Sequence, residues 1–284
     1  MLDSGAPADT AMTKAATTGA AMNGGGITNG AISRLLIRAG RHRGLTTGMA
    51  PGFVQANIAI LPARYADDFV GFCEANAAAC PLLAVGKPGE TGLPALGHDI
   101  DIRRDLPEYH VNCAGTLRKV QDIAALWQDD FVSVAIGCWF SMEGALLRAG
   151  VRLRHLELGI QGPLFRTARA AQSRGMFHGP LVVSMRPFRD EQVGTVAKIT
   201  ARFPRVHGAP LHAGDPAVLG IRDVATPDWG EVLVPEAGET PLFWGCGLTA
   251  LAALEASGIP LFITHAPGKM LITDLRNEAF EQAP

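Results

Sequence analysis

The sequence predicts an α/β protein in which a larger α/β unit, residues 31–150 and 236–284, is interrupted by a smaller α+β unit over 151–235. Short apolar runs end at turns and feed helical stretches, the pattern of buried strands alternating with helices. Ile136-Gly137-Cys138-Trp139-Phe140-Ser141 running to Gly150-Val151 aligns without a gap on Trp244-Gly245-Cys246-Gly247-Leu248-Thr249 running to Gly258-Ile259. Between these copies the chain changes character, toward short strands and proline turns.

Bulk properties exclude several classes. The 284 residues can bury a sizeable core. Only 18% are charged and the net charge is −2, so there is no basic footprint for nucleic acid. No apolar run approaches the roughly 20 residues of a membrane span. The five cysteines (73, 80, 113, 138, 246) form no paired framework, and with no secretory segment a reducing cytoplasm is the simpler expectation. None has zinc-finger spacing, so neither a metal nor a cofactor is assigned.

In chain order, residues 1–30 are rich in Ala, Gly and Thr and read as a disordered, expendable extension. A helix is expected over 31–40, stopping at Gly40, then a loop over 44–52. A buried strand follows at 54–61, ending at Pro62, then a helix over 66–76 and a strand at 82–85. Glycine and proline dominate 86–97, a long connection. A polar strand-like stretch (99–103) and a helix near 117–128 precede the apolar run 131–136, which feeds the first Gly-Cys turn. Beyond it come a strand at 181–185, a helix over 193–202 and short strands within 215–234. The run 241–244 feeds the second Gly-Cys turn, and 260–264 is another buried strand.

The repeat carries the first candidate residues. Each copy reads as strand, Gly-Cys turn, hydroxyl N-cap (Ser141, Thr249), short helix and terminating glycine. Cys138 and Cys246 precede helix N-termini, whose dipole favours thiolate and attracts anions. They read as acid/base groups or nucleophiles, as part of a carboxylate-binding nest, or as small packing residues. Glu143 lies in the first turn and could complement the dipole or act as a base. Its counterpart Leu251 is apolar, so the half-sites are not chemically equivalent.

The loop from Arg202 to Asp215 concentrates Arg205, His207, His212 and Asp215 between prolines and glycines. Arginine can hold a carboxylate bidentately, and histidine shuttles protons near neutrality. Thr264 and His265 close a buried strand, where α/β proteins place ligand-contacting groups. Arg166 and Arg186 border apolar segments as candidate anion clamps.

Several segments in order resemble one known family: Ala50-Pro51-Gly52 with Gln55-Ala56-Asn57, Ile136-Gly137-Cys138 with Phe140-Ser141 and Glu143, Gly179 to Pro187, Arg202 to Asp215, Trp244 to Gly247, and Ile263 to Gly268. The family is a group of bacterial hydro-lyases related to D-glutamate cyclase, and the resemblance runs from about Gly44 to Asn277. It departs at Phe165-Arg166-Thr167-Ala168, where the family has tyrosine and asparagine around Arg-Thr. The resemblance implies a three-layer α/β sandwich with a smaller two-layer α+β unit. It also implies carbon–oxygen lyase chemistry on a small carboxylate, most concretely cyclisation of D-glutamate to 5-oxo-D-proline. Asn57 joins the expected substrate contacts on that basis. Two rival readings are a two-cysteine amino-acid racemase and a non-catalytic carboxylate-binding subunit. A homo-oligomer is compatible with all three.

Overall fold

The computed structural model describes residues 29–282. The expected N-terminal extension lies outside them apart from its last two residues. The chain is a mixed α/β protein with two antiparallel sheets and short helices.

The longer sheet centres on β1 (Phe53–Pro62), nearly all of which is buried. Its continuous apolar run is what a strand covered on both faces requires. Around it stand β2 (Leu82–Val85), β3 (Tyr109–Cys113), β4 (Thr116–Val120), β5 (Phe131–Gly137) and β10 (Leu261–His265), ordered β2-β5-β1-β10-β3-β4, with β11 (Leu271–Arg276) also pairing β1. The second sheet has the order β6-β7-β9-β8. Its strands are β6 (Leu164–Ala170), β7 (Pro180–Arg189), β8 (His212–Ala213) and β9 (Glu239–Gly245). The helices are α1 (Gly30–Arg38), α2 (Ala66–Ala75), α3 (Glu143–Arg148), α4 (Arg154–Leu158), α5 (Val193–Ala201) and α6 (Leu248–Ala256).

Two arrangements of the same kind recur. Ala56 faces Gly137 and Asn57 faces Ile136, while Val183 faces Gly245 and Ser184 faces Trp244. β1 runs through a 3-10 turn into α2, and β7 runs through another into α5. On the far side Gln55 and Ala56 meet Ile272 and Leu271 of β11, while Val182 and Val183 meet Arg166 and Phe165 of β6. Side chains repeat the match: Thr273 Oγ1 donates to the Val54 carbonyl at 2.8 Å, and Thr167 Oγ1 to that of Leu181 at 2.8 Å. The trailing strands cross over. β6 follows α3 yet pairs in the second sheet, and β11 follows α6 yet pairs in the first.

Glycine is required before each cysteine. A Cβ on Gly245 would lie 2.7 Å from the Ala78 carbonyl oxygen, and one on Gly137 would collide with that of Arg205.

Several expectations are corrected. The strand ahead of the second Gly-Cys turn, β9, pairs β7 and so belongs to the second sheet, not to a unit shared with the first copy. Strand pairing is non-local, and the linear position of 236–245 did not reveal its partner. Residues 99–103 form turns, and the helix expected at 117–128 is β4 followed by one 3-10 turn. Ala114 and Gly115, both at positive φ (48° and 80°), fold Thr116–Val120 back onto β3 as a hairpin. Between 215 and 234 only a 3-10 turn and a single bridge from Trp229 to Leu164 form.

Candidate functional site

The two Gly-Cys turns meet at one small cavity, lined by both Cys138 and Cys246. Asn57 of β1, Ser184 and Arg186 of β7, Gln161 and His207 complete its polar wall, and Trp139, Phe140 and Leu248 its apolar wall. Its shape follows from the matched registers, because Asn57 and Ser184 occupy equivalent positions beside the two turns.

The hydroxyls do not cap helices. Ser141 Oγ accepts the Gln55 N–H at 3.2 Å, and Thr249 Oγ1 accepts the Val182 N–H at 2.9 Å. A 3-10 turn precedes α3, and Gly247 occupies the cap of α6, which leaves each hydroxyl facing its neighbouring strand. Both thus tie a helix start to β1 or β7, and neither lines the cavity.

The thiols are neutral. The N–H of Phe140 donates to Cys138 and that of Leu248 to Cys246, which favours thiolate, as does the charge of Arg186. Burial outweighs both, pushing Cys246 up to about 11 and Cys138 higher still. The expectation that the helix dipole yields a thiolate is therefore corrected: desolvation wins.

Arg186 is the buried cation of the cavity, 2% exposed. Burial lowers its pKa to about 10, still protonated at neutral pH. Nη1 donates to the Met185 carbonyl at 2.7 Å and Nη2 to that of Gln161 at 2.6 Å, and the guanidinium lies 5.0 Å from the Trp139 ring centre. Among the described residues Nε has no partner, and neither does Ser184 Oγ or Trp139 Nε1. All three atoms belong to residues lining the cavity. Buried polar groups are normally satisfied, so this cluster singles out the cavity as the candidate site.

Glu143 lies just outside this wall. Burial raises its carboxyl to about 8, opposed by the nearby charge of Arg186 and a bond from Thr47. His155 Nε2 lies 2.9 Å from its Oε1, and burial holds the imidazole neutral. His207 has φ +94°, in the left-handed region, and its Nδ1 lies 3.1 Å from the Ala78 carbonyl. Burial depresses its pKa to about 4.

Other expected residues sit elsewhere. His265 is buried in β10, where Nδ1 accepts the Ile58 N–H at 3.1 Å, and it does not line the cavity. Thr264 faces a neighbouring cavity. Arg205 is exposed and stacks on Phe280, Arg166 is exposed over Trp229, and Asp215 caps the turn at Ala217. His212 bonds the Asp215 carbonyl and stacks on Phe243. Of the polar loop only His207 turns inward, because its left-handed backbone reverses the chain there. Sequence reasoning missed Ser184, Gln161, Trp139 and His155. Ser184 was recoverable by extending the repeat to the strands that pair with each copy, where it stands opposite Asn57.

Among the described residues, no group of three or more His, Cys, Asp or Glu could hold a metal ion, and no helix is long and apolar enough to cross a membrane.

Known proteins define the class. Relatives named "Putative hydro-lyase" match at 51% identity in Paraburkholderia phymatum, covering 86% of this chain and 95% of the relative, and at 50% in Bordetella petrii, covering 86% and 93%. One from Methylobacterium radiotolerans is 48% identical over 86% of this chain and 91% of its own. The protein is an enzyme of the hydro-lyase class. It belongs to the D-glutamate cyclase family, whose pattern matches residues 132–274 and so includes Cys138, Glu143, Arg186, His207 and Cys246. Among solved structures, a nitrogen repressor-like protein from Methanococcus jannaschii aligns over 90% of this chain and 99% of its own at 11% identity, with a TM-score of 0.38.

Proposed function

We propose that the cavity between the two Gly-Cys turns removes water from a small carboxylate, and that its substrate is D-glutamate, cyclised to 5-oxo-D-proline. The observation that carries the reading is the set of unpartnered buried donors, Arg186 Nε, Ser184 Oγ and Trp139 Nε1, on the walls of a cavity flanked by two protonated thiols. A buried cation with spare donors matches a carboxylate, and neutral thiols are acids able to protonate a departing oxygen.

In this reading Arg186, Ser184 and Trp139 hold the α-carboxylate. The ammonium loses a proton, its nitrogen forms a bond to the carbon of the γ-carboxyl group, and a carbon–oxygen bond of that carbon breaks. The departing oxygen leaves as water with two protons, which the nitrogen gives up overall, so charge balances. The thiols of Cys138 and Cys246 donate to that oxygen and recover protons from the amine, with His207, neutral at pH 7, relaying. Asn57 orients the γ-carboxyl group. Direct thioester formation from a free carboxylate is uphill and plays no part.

The test is incubation of purified protein with D-glutamate, L-glutamate or 5-oxoproline, followed by chiral chromatography. Formation of 5-oxo-D-proline from D-glutamate supports the substrate, and no turnover in either direction, with or without divalent metal, overturns it. A two-thiol racemase is the second reading, favoured by the position of both cysteines on one cavity. It requires one thiolate, which burial opposes. Solvent deuterium appearing at Cα without dehydration would establish it instead.

A further inference from the structure

Two further cavities adjoin the central one through shared wall residues. The central one shares Leu248 with one neighbouring cavity and Phe140 with another. Phe140 and Leu248 each stand two residues after a cysteine, so the same position of each copy forms the partition. The outer cavities also match along the helices: α3 lends Glu143, Gly144 and Leu147 to one, and α6 lends Leu251, Ala252 and Glu255 to the other.

The two outer spaces differ in chemistry. On the Phe140 side the partition is the bulkier ring, and Glu143 is already engaged by His155 and Thr47. On the Leu248 side the partition is smaller and the space larger. There His110 and Thr264 face each other across β3 and β10. Asn112 and Glu255 add an amide and a carboxylate. Burial holds His110 below the usual imidazole range, so a neutral imidazole, a hydroxyl and an amide beside one carboxylate offer hydrogen bonds to both ends of a zwitterion.

We propose that the Leu248-side cavity is the antechamber through which a zwitterionic amino acid reaches the thiols, and that Leu248 is the partition it passes. The proposal rests on the central cavity being the reaction site. Its test needs no turnover, so it fails or stands separately from the cyclase assignment. Iodoacetate, a small carboxylate that alkylates thiols with loss of iodide, serves as the probe, and labelling of the Cys138 and Cys246 peptides is timed by mass spectrometry at mildly alkaline pH. Leu147 and Glu255 occupy equivalent positions on α3 and α6, nine residues after their cysteines, and both are exposed, so bulk can be added there without disturbing the core.

Glu255→Trp and Leu248→Phe are expected to slow labelling about tenfold, as obstruction of an access route does, while Leu147→Trp leaves it unchanged. Slowing by Leu147→Trp, or unaltered labelling in Glu255→Trp protein that melts like the parent, overturns the proposal. Should the pattern hold while D-glutamate is not turned over, the route stands and the substrate assignment falls.

Discussion

Arg186 shows how one residue can serve both fold and chemistry. Two of its nitrogens are spent on backbone carbonyls, which fixes the guanidinium and leaves Nε as its spare donor. Lysine cannot reproduce that geometry, because a point ammonium lacks the planar fork. Arg186→Lys is expected to lower kcat/KM by about 100-fold, the usual loss on removing a well-placed donor, measured by steady-state kinetics on D-glutamate. The cysteines, Glu143, Arg186 and His207 were legible as residue types with a stated chemistry. Trp139 was not, and Ser184 only by extending the repeat, because an apolar strand or turn does not advertise which polar atom it leaves unsatisfied. A histidine at a strand end such as His265 looks the same in sequence whether it meets a ligand or a backbone N–H, and here its Nδ1 accepts that of Ile58.

At the scale of elements, the same small devices operate twice. Ser141→Ala and Thr249→Ala would each orphan a buried strand N–H, and each is expected to cost about 1–3 kcal/mol in urea unfolding, with similar losses from both. Gly137→Ala and Gly245→Ala should be worse, abolishing accumulation of folded protein, because the added methyl meets backbone that cannot swing aside. Strands β1, β5 and β7 were legible because continuous apolar runs have few alternatives. β3, β4, β6 and β11 were not, since they mix polar and apolar residues and are defined by partners far along the chain. The assignment of β9 failed similarly, for local pattern gives a strand's existence but not its neighbour.

For the molecule as a whole, buried ionisable groups set a pH window. His207 and His265 have folded pKa values near 4 against an ordinary 6.5. The unfolded chain therefore binds more protons between those values, and their contribution is complete above pH 6.5 and lost as pH falls toward 4. Glu143 works in the opposite sense, at about 8 folded against an ordinary 4.5. Its contribution is present below pH 4.5 and lost as pH rises toward 8. Two histidines outweigh one carboxyl on the acid side, so thermal stability should peak near pH 6.5 and decline in both directions. Calorimetric melting across pH 4–9 checks this, and Glu143→Gln should flatten the decline between 6.5 and 8 while leaving the acid limb in place.

The crossing of the trailing strands makes the chain behave as a clasp. The piece before the exposed turn at 172–176 contains β6, which is stitched into the sheet of the second piece, and the second piece contains β10 and β11, stitched around β1 of the first. Severing the turn breaks one covalent link but leaves each fragment holding a strand of the other. A protein nicked there through an inserted protease site should run as one particle on gel filtration and part only in denaturant. Either fragment expressed alone should fail to fold, since it would present bare sheet edges where its partner's strands belong.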